Sequence, residues 1–440
     1  MKERDGESAV PVFSDAELCA LAATHRLHFA ILPRTGRRPL RRQGARMKLL
    51  IYSHFFAPSV GGVETIVLSL ARGLAGLCDA DGAQQFEITL VTQTPAGNYE
   101  GSAHPFRVIR KPGLIQLWQL VRKSDVVHVA GPALALLFLA WLSRKPFLIE
   151  HHGYQATCPN GLLFHHPSET VCRGHFLAGN YRECLKCNTK TEGPLKSLWL
   201  LFSAFLRNAA SHRAATNIAP SGHVASRQSL PRTTTIVHGI ADPFDGRDLL
   251  QTAQPINRKS FAYLGRFVIE KGLPVLLEAT RLLRAEGHDV TVVLIGDGPD
   301  RPRLEKQISA LGIEMTVRIT GFLSGMNLDR VLHGVGTMVI PTTMEETAGL
   351  AAMEQMVRGR PVIASAIGGL EELVRDSGLT FSPGDPRALA DAMRRILEEP
   401  DLGASLGATG RQRILLSFSY KGMIDAHARL YREVRAAGKA

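Results

Sequence analysis

The sequence has neither a long apolar run nor an apolar leader. Its longest apolar stretch, at residues 133–142, is about half as long as an α-helix that crosses a bilayer. The first residues are charged and polar and do not lead from a basic start into an apolar core, so a secretory signal is not expected. We therefore predict no transmembrane helix and a cytoplasmic location, in which thiols stay reduced.

The sequence also lacks a glycine fingerprint of the form G-x-G-x-x-G after a strand, which argues against a dinucleotide dehydrogenase. Its 440 residues, 45% hydrophobic and 21% charged, are enough for two globular domains and are not of disordered composition. From residue 47 onward, short apolar segments alternate with helix-like segments. This alternation is typical of an α/β protein with parallel sheets.

The net charge of +12 is partly local. Residues 1–46 carry nine Lys or Arg against five Asp or Glu, and they end in a basic stretch without apolar periodicity. We interpret them as a disordered or mis-assigned N-terminal extension, with Met47 opening the fold. A basic arm that binds nucleic acid or anionic lipid is the weaker alternative, and no nucleic-acid partner is expected.

Two glutamates flank the start of one predicted helix. Residues 338–340 read as a short buried strand, residues 341–346 as its loop and residues 350–357 as the helix behind. Glu346 lies on the loop and Glu354 about one turn into the helix, where ligands of open α/β sheets bind. Helix N termini attract phosphate and carboxylates accept hydrogen bonds from sugar hydroxyls, so this pairing favours a nucleotide sugar.

The stretch resembles the E-x7-E signature of glycosyltransferase family 4, a family of retaining enzymes. Glu346 and Glu354 have the required spacing, and residues 359–365 resemble the strand that follows in the family. The Gly-Arg-x4-Lys-Gly pattern of residues 265–272 is also similar to the family's. The signature departs from its relatives at four positions, Thr347, Ala348, Gln355 and Arg358, so the sugar is not assigned.

The resemblance covers roughly residues 47–435 and implies the GT-B fold, in which two Rossmann-like domains face each other across a cleft. We expect an N-terminal acceptor-binding domain at residues 47–240, with a cysteine-rich insertion at residues 154–190. A nucleotide-sugar-binding domain would follow at residues 241–415. A C-terminal helix within residues 416–440 would cross back to the first domain.

The resemblance also implies roles for single residues. Arg266 and Lys271 would stabilise the departing diphosphate, where negative charge accumulates. Glu346 would orient the sugar, and Glu354 would hold the ribose hydroxyls. With cations at the phosphate, no cofactor is required for catalysis, and no Asp-x-Asp stands in a matching loop. Further donor contacts are expected at Gly61, Gly62, Gly265, Gly296, Leu323, Gly349 and Leu350.

One histidine is a further catalytic candidate. Residues 124–131 resemble a family strand that often ends in His-x-His, but the second position here is Ala130. His128 either helps to seat the donor or acceptor or is a buried structural side chain. If the role has moved, His151 or His152 would substitute for it.

The insertion carries four cysteines, and the last two have Cys-x2-Cys spacing, which suits two ligands of a tetrahedral zinc ion. The other two would complete a four-thiolate structural site. A disulfide pair or free thiols are the alternatives, and catalysis by these thiols is not expected. The four residues are Cys158, Cys172, Cys184 and Cys187.

Residues 195–206 predict a strongly apolar helix. We favour an ordinary buried helix, and the alternative is a helix in a membrane interface that admits lipid-linked acceptors at the inner face of the membrane.

The sequence as a whole predicts a retaining hexosyltransferase of glycan, polysaccharide or glycolipid synthesis. Its partners would be a UDP- or GDP-linked sugar and a glycan or lipid-linked acceptor. A non-catalytic sugar-nucleotide-binding homologue and a GT-B sugar-nucleotide epimerase are the alternatives.

Overall fold

The computed structural model describes residues 46–59, 61–97, 104–131, 133–244 and 257–438. Apart from Arg46, the predicted N-terminal extension lies outside these residues. Residue contacts group the chain into two compact units. One unit ends at Leu148 and includes the chain from Ala428 onward, and the other is Ile149–His427. The domain boundaries predicted at residues 240 and 415 remain predictions.

The first unit contains parallel strands in the order β3-β2-β1-β4. These strands are β1 (Met47–Ser53), β2 (Phe86–Thr92), β3 (Arg107–Arg110) and β4 (Val126–Ala130). Its helices are α1 (Gly62–Ala75), α2 (Leu114–Lys123) and α3 (Leu134–Leu142). Leu49, Leu50 and Ile51 of β1 are buried whichever face they point to. Helices cover both faces of such a sheet, which is why its strands read as continuous apolar runs.

The unit Ile149–His427 begins within strand β5 (Phe147–Glu150) and continues with the cysteine-rich segment. A short antiparallel pair follows, β6 (Phe164–His165) with β7 (Thr170–Val171), and then helices α4 (Tyr181–Glu192) and α5 (Pro194–Arg213). Next come β8 (Thr216–Ala219), α6 (Gly222–Gln228) and β9 (Thr233–Thr235), with β8 and β9 parallel.

The same unit contains a six-stranded parallel sheet in the order β12-β11-β10-β13-β14-β15. The strands are β10 (Ser260–Leu264), β11 (Thr291–Ile295), β12 (Val317–Gly321), β13 (Thr337–Ile340), β14 (Val362–Ser365) and β15 (Leu379–Phe381). The helices between them are α7 (Leu273–Ala285), α8 (Arg301–Ala310), α9 (Gly325–His333), α10 (Leu350–Met356), α11 (Gly368–Val374) and α12 (Pro386–Glu398). Helices α13 (Leu402–Ser417) and α14 (Tyr420–Ala437) follow the sheet.

This sheet is doubly wound. One apolar cluster contains Leu276 and Leu283 of α7, and the other contains Met353 of α10 and Leu370 of α11, so helices cover both faces. The chain starts at β10, moves outward to β12 and then returns to β13 on the other side of β10. The loops after β10 and β13 therefore leave neighbouring strand ends at the point where ligands of such sheets bind.

Helix α5 contradicts the expectation of a buried helix. Its inward side carries mostly small side chains, among them Ser197 and Ala204, together with Leu201. Its large apolar side chains are exposed by between 41% and 85%, namely Leu195, Leu198, Trp199, Phe202, Phe205 and Leu206. Apolar composition alone suggested burial, but the positions of the small residues decide which face packs inward. Across the described ranges, no helix combines the length and apolarity needed to span a membrane.

Candidate functional site

Three loops at the carboxyl ends of β10, β11 and β13 are packed at backbone contact distance. Gly272 has φ +66, and a Cβ at this position would lie 2.0 Å from the carbonyl oxygen of Pro341. Gly296 has φ +140, and a Cβ there would lie 1.9 Å from the carbonyl oxygen of Gly265. Only glycine fits both the conformation and the space. The two glycines thus fix the loop after β10 between its two neighbours.

This packing places Lys271 beside Glu346. The Lys271 ammonium and the Glu346 carboxylate form an ion pair, with the side chains 25% and 17% exposed. The structure thus places the loop that carries Lys271 next to the loop that carries Glu346. Both charges remain within reach of solvent, so a ligand can contact either of them.

Glu354 lies on α10, the helix that follows the Glu346 loop. Gly349 begins this helix in the left-handed region, where a Cβ would lie 2.8 Å from Leu370 Cδ1. Burial raises the pKa of Glu354, and the nearby charge of Arg358 only partly opposes this. Hydrogen bonds from ligand hydroxyls would stabilise the charged form of such a carboxylate.

The other predicted donor contacts of this unit follow the same edge of the sheet. Arg266 is exposed, and its carbonyl oxygen accepts a hydrogen bond from the Tyr263 hydroxyl at 3.0 Å. Leu350 is the half-buried first residue of α10. Leu323 follows β12 and packs, partly buried, on the core. Because β12 is two strands from β10, Leu323 belongs to a more distant part of the edge than Lys271.

The sequence reasoning missed the environment of Glu345. Arg227 Nε lies 2.9 and 3.2 Å from the two Glu345 carboxylate oxygens, and Arg227 Nη2 donates to the Cys172 carbonyl at 2.6 Å. His223 Nε2 lies 3.7 Å from Glu345 Oε2. Burial would raise the pKa of Glu345, but His223 and Arg227 outweigh it and lower the pKa. No local sequence pattern connects these residues, since Arg227 and Glu345 are 118 positions apart in the chain.

The backbone of the loop that carries Glu346, between β13 and α10 and called the signature loop below, is also anchored. The Ser221 hydroxyl donates to the Thr347 carbonyl at 2.7 Å, and the Gly369 N–H donates to the Glu346 carbonyl at 2.7 Å. The Thr347 hydroxyl donates to the His152 carbonyl at 3.4 Å. The loop is therefore held by contacts from α6, α11 and the segment after β5.

The remaining predicted contacts lie in the first unit. Gly61 and Gly62 are the N-cap and first residue of α1. His128 on β4 is fully buried, and its Nδ1 lies 2.9 Å from the Tyr431 hydroxyl. This environment favours the structural interpretation of His128. The substitute candidate His151 is also buried, hydrogen-bonds Asn217 at 2.9 Å and has a pKa lowered by its burial.

The four cysteines of the insertion are buried, free thiols that line one cavity together with His165 and His175. Burial raises the pKa of Cys158 to about 11 and that of Cys184 to about 12, and neighbouring thiols add to both shifts. Of the described residues, only Glu150, His152 and His238 place three ligand atoms within 4.8 Å of one another. No three cysteine sulfur atoms of the described residues meet this condition, although all four thiols line the same cavity.

Solved structures share the fold. The chain matches sucrose-phosphate synthase from Thermosynechococcus elongatus with a TM-score of 0.65 at 22% identity, over 89% of this chain and 100% of that one. It matches Anabaena HepE, solved in complex with UDP, with a TM-score of 0.64 at 18% identity, over 88% and 100% of the two chains. The protein therefore has the GT-B fold.

Sequence comparison identifies the family. Residues 60–229 match the model "Glycosyltransferase Family 4" and residues 249–413 match "Glycosyl transferases group 1". Alpha-D-kanosaminyltransferase of Streptomyces kanamyceticus is 33% identical over 180 residues, which are 40% of this chain and 46% of that protein. The chain spans about half the length, or less, of the curated relatives it matches. It belongs to glycosyltransferase family 4, in group 1.

Proposed function

We propose that the protein transfers a sugar from a nucleotide-sugar donor to an acceptor, with retention at the anomeric carbon. The observation that carries the proposal is the Lys271–Glu346 pair, which stands at the switch point of the doubly wound sheet. A cation and a carboxylate at this point suit the two ends of a nucleotide sugar, its diphosphate and its hexose hydroxyls.

In the proposed reaction, the bond between the anomeric carbon and the diphosphate oxygen breaks while the acceptor oxygen bonds to the same face of that carbon. The acceptor proton moves to a diphosphate oxygen. Lys271 and Arg266 neutralise the charge that builds up on the diphosphate. Glu346 orients the sugar, and Glu354 accepts hydrogen bonds from the ribose hydroxyls.

A UDP-linked hexose is the proposed donor, since HepE has been solved with UDP and with UDP-glucose. The test is thermal unfolding of the protein with UDP-glucose and with GDP-linked sugars. We expect a UDP-linked sugar to raise the melting temperature and to yield a glycosylated product when an acceptor is added. If no nucleotide sugar changes the melting temperature, the proposal fails.

Release of free nucleotide separates the alternatives. A transferase releases UDP in proportion to added acceptor. A non-catalytic homologue binds the donor and releases nothing, and an epimerase changes the sugar without any acceptor. Hydrolysis of the donor in the absence of acceptor sets the background for this measurement.

We also propose that α5 lies on an anionic membrane surface, where a lipid-linked acceptor would be found. Its exposed apolar face is accompanied by Lys196, Arg207 and Arg213, and the helix contains no acidic residue. Apolar burial and attraction to anionic lipid together bind such helices to interfaces.

Vesicle binding tests the role of α5. The double change Trp199→Ser and Phe202→Ser should lower binding to phosphatidylglycerol vesicles by about tenfold or more, since two aromatic side chains no longer enter the interface. Met315→Ser is the matched control, because Met315 is 98% exposed and lies outside α5. Equal binding by the double variant and the wild type contradicts the proposal.

A structural zinc ion at the cysteine cavity is a further proposal. It is supported by four free thiols that meet in one buried place, where a cation would favour the thiolate form. Changing Cys184 and Cys187 to Ser should remove one zinc equivalent and lower the melting temperature. Unchanged zinc content in a folded variant rules the site out.

A further inference from the structure

A second cluster of ionisable groups surrounds the end of β5. The Glu150 carboxylate is fully buried, and His238 Nε2 lies 3.4 Å from its Oε1. His152 Nε2 lies 3.6 Å and His427 Nε2 lies 3.9 Å from its Oε2. The three imidazole side chains are each at most 5% exposed. A carboxylate and three imidazoles thus share one space from which water is excluded.

The hydrogen bond of His427 fixes its tautomer. Its Nδ1 lies 2.9 Å from the carbonyl oxygen of Met423, and a carbonyl oxygen only accepts, so Nδ1 carries the proton. In the neutral ring, Nε2 then presents a lone pair toward Glu150. An imidazole lone pair and a carboxylate oxygen repel each other unless a positive charge lies between them.

His238 provides a second, independent indication. Its side chain is 4% exposed, and neither of its ring nitrogens makes a hydrogen bond within the described part of the chain. Burial of a polar ring without such partners costs free energy. His238 Nε2 faces the Glu150 carboxylate at 3.4 Å without forming a hydrogen bond to it.

The separations of 3.4–3.9 Å between the imidazole nitrogens and the two Glu150 oxygens are close to, or somewhat longer than, those around a metal ion. Ligands held at zinc–nitrogen and zinc–oxygen distances in a tetrahedron lie about 3.3–3.5 Å from one another. One ligand atom each of Glu150, His152 and His238 lie within 4.8 Å of one another. We propose that these three residues bind a divalent transition-metal ion, best fitted by zinc, and that His427, whose Nε2 lies 3.9 Å from Glu150 Oε2 but outside this group of three, moves closer to complete the site. The Nδ1 hydrogen bond of His427 to a carbonyl is the orientation typical of metal-bound histidine.

The proposed ion connects three segments within the unit Ile149–His427. His238 precedes Ile240, whose N–H donates to the Phe418 carbonyl at 3.0 Å just before α14, the helix that carries His427. The His152 carbonyl accepts the hydrogen bond from Thr347 of the signature loop. The ion therefore has a positioning role: it fixes the backbone against which the Glu346 loop rests. This assignment does not depend on the proposed sugar transfer.

Metal content tests the proposal. The full-length protein is equilibrated with zinc, dialysed against metal-free buffer and analysed for zinc by mass spectrometry, alongside His238→Gln. We expect His238→Gln to retain one zinc equivalent fewer and to weaken zinc binding by at least the roughly 10- to 100-fold that loss of a hydrogen-bond partner of a metal ligand costs, since here a ligand itself is removed. His288→Gln is the matched control, since His288 forms a comparable 3.7 Å pair with Glu398 but lies outside the cluster.

Zinc bound at the cysteine cavity is distinguished from zinc bound at this site by repeating the comparison in a Cys184→Ser/Cys187→Ser background. There, the protein should still bind one zinc equivalent, and His238→Gln should remove it. If the cysteine variant does not fold, the test is the difference in zinc content between the wild-type protein and His238→Gln. Equal zinc content with and without His238 overturns the proposal. So does a wild-type melting temperature that responds to pH but not to zinc, because the charge between the ligands would then be a proton.

Discussion

The two neighbouring carboxylates of the signature loop are both paired, but in different ways. Exposure hardly separates them, since the Glu346 and Glu345 side chains are 17% and 12% exposed and their cationic partners are both 25% exposed. The two carboxylates differ in the number of contacts that they make. Glu346 faces one ammonium group. Glu345 has both of its oxygens within reach of the Arg227 Nε–H, the same guanidinium also donates to a carbonyl, and His223 lies beside it.

This difference indicates which of the two ion pairs can open so that its cation contacts a ligand. An ammonium is a point charge on a flexible stem, so Lys271 can turn from Glu346 to an arriving phosphate without loss of geometry. The planar guanidinium of Arg227 holds its position, because its Nε–H is shared between both Glu345 oxygens and its Nη2 donates to a carbonyl. One side of the loop is therefore suited to a ligand, and the other side fastens the loop to the segment that contains α6.

The largest effect is expected from Lys271→Ala. Turnover should fall by about 10² to 10³, because the departing diphosphate loses a positioned cation, while the melting temperature should change little. Steady-state kinetics with UDP-glucose and an acceptor measure this. Lys259→Ala is the control, since Lys259 forms an exposed 2.9 Å pair with Asp289. Near-normal turnover of Lys271→Ala would remove this residue from the mechanism.

A second prediction concerns Glu354→Gln, which should abolish the donor-induced rise in melting temperature. The variant itself should be at least as stable as the wild type at neutral pH. Burial raises the pKa of Glu354 above 4.5, so its stabilising contribution is complete below about pH 4.5 and is lost as the pH rises through the folded-state pKa. Thermal unfolding from pH 4 to pH 8, with and without donor, measures both effects.

The control for Glu354 is Glu371→Gln, which alters a carboxylate whose pair with Arg375 is exposed. It should keep the donor-induced shift and follow the wild type at every pH. If Glu354→Gln instead becomes steadily less stable than the wild type toward neutral pH, the carboxylate has a stabilising partner within the folded protein. The proposal that Glu354 binds the donor would then be wrong.

The candidate ligand residues on one side of the loop, Lys271 and Glu346, could be identified from the sequence. The Arg227–Glu345 pair that anchors the other side could not. The strand ends and the motifs that contain Lys271 and Glu346 are local features of the sequence, and the doubly wound sheet brings the two residues together. The Arg227–Glu345 pair and the Glu150 cluster depend on segments far apart in the chain, where no local pattern connects the partners. Helix α5 shows the same limit, since its apolar composition did not reveal that its small residues face inward.

The smallest effect is expected on the fastening side. Arg227→Met should lower the free energy of unfolding by about 2 kcal/mol at pH 7, because Glu345 keeps its charge in a largely buried place and loses its main partner. The pKa of Glu345 is lowered in the folded protein, so the pair stabilises above the unfolded pKa near 4.5 and this contribution is lost as the pH falls through the folded pKa. The destabilisation should therefore shrink in acid.

Denaturant unfolding of Arg227→Met at pH 7 and pH 3.5 measures this, with Arg301→Met as the control. Arg301 pairs with Asp297 and Glu305 at 2.9 and 2.8 Å, but at an exposed position, so its loss should cost about 0.5 kcal/mol or less. Turnover of Arg227→Met should stay within about tenfold of the wild type below its unfolding transition, since the guanidinium holds the loop and does not meet the donor. A loss of turnover as large as that of Lys271→Ala, at unchanged stability, would place Arg227 on the ligand side as well.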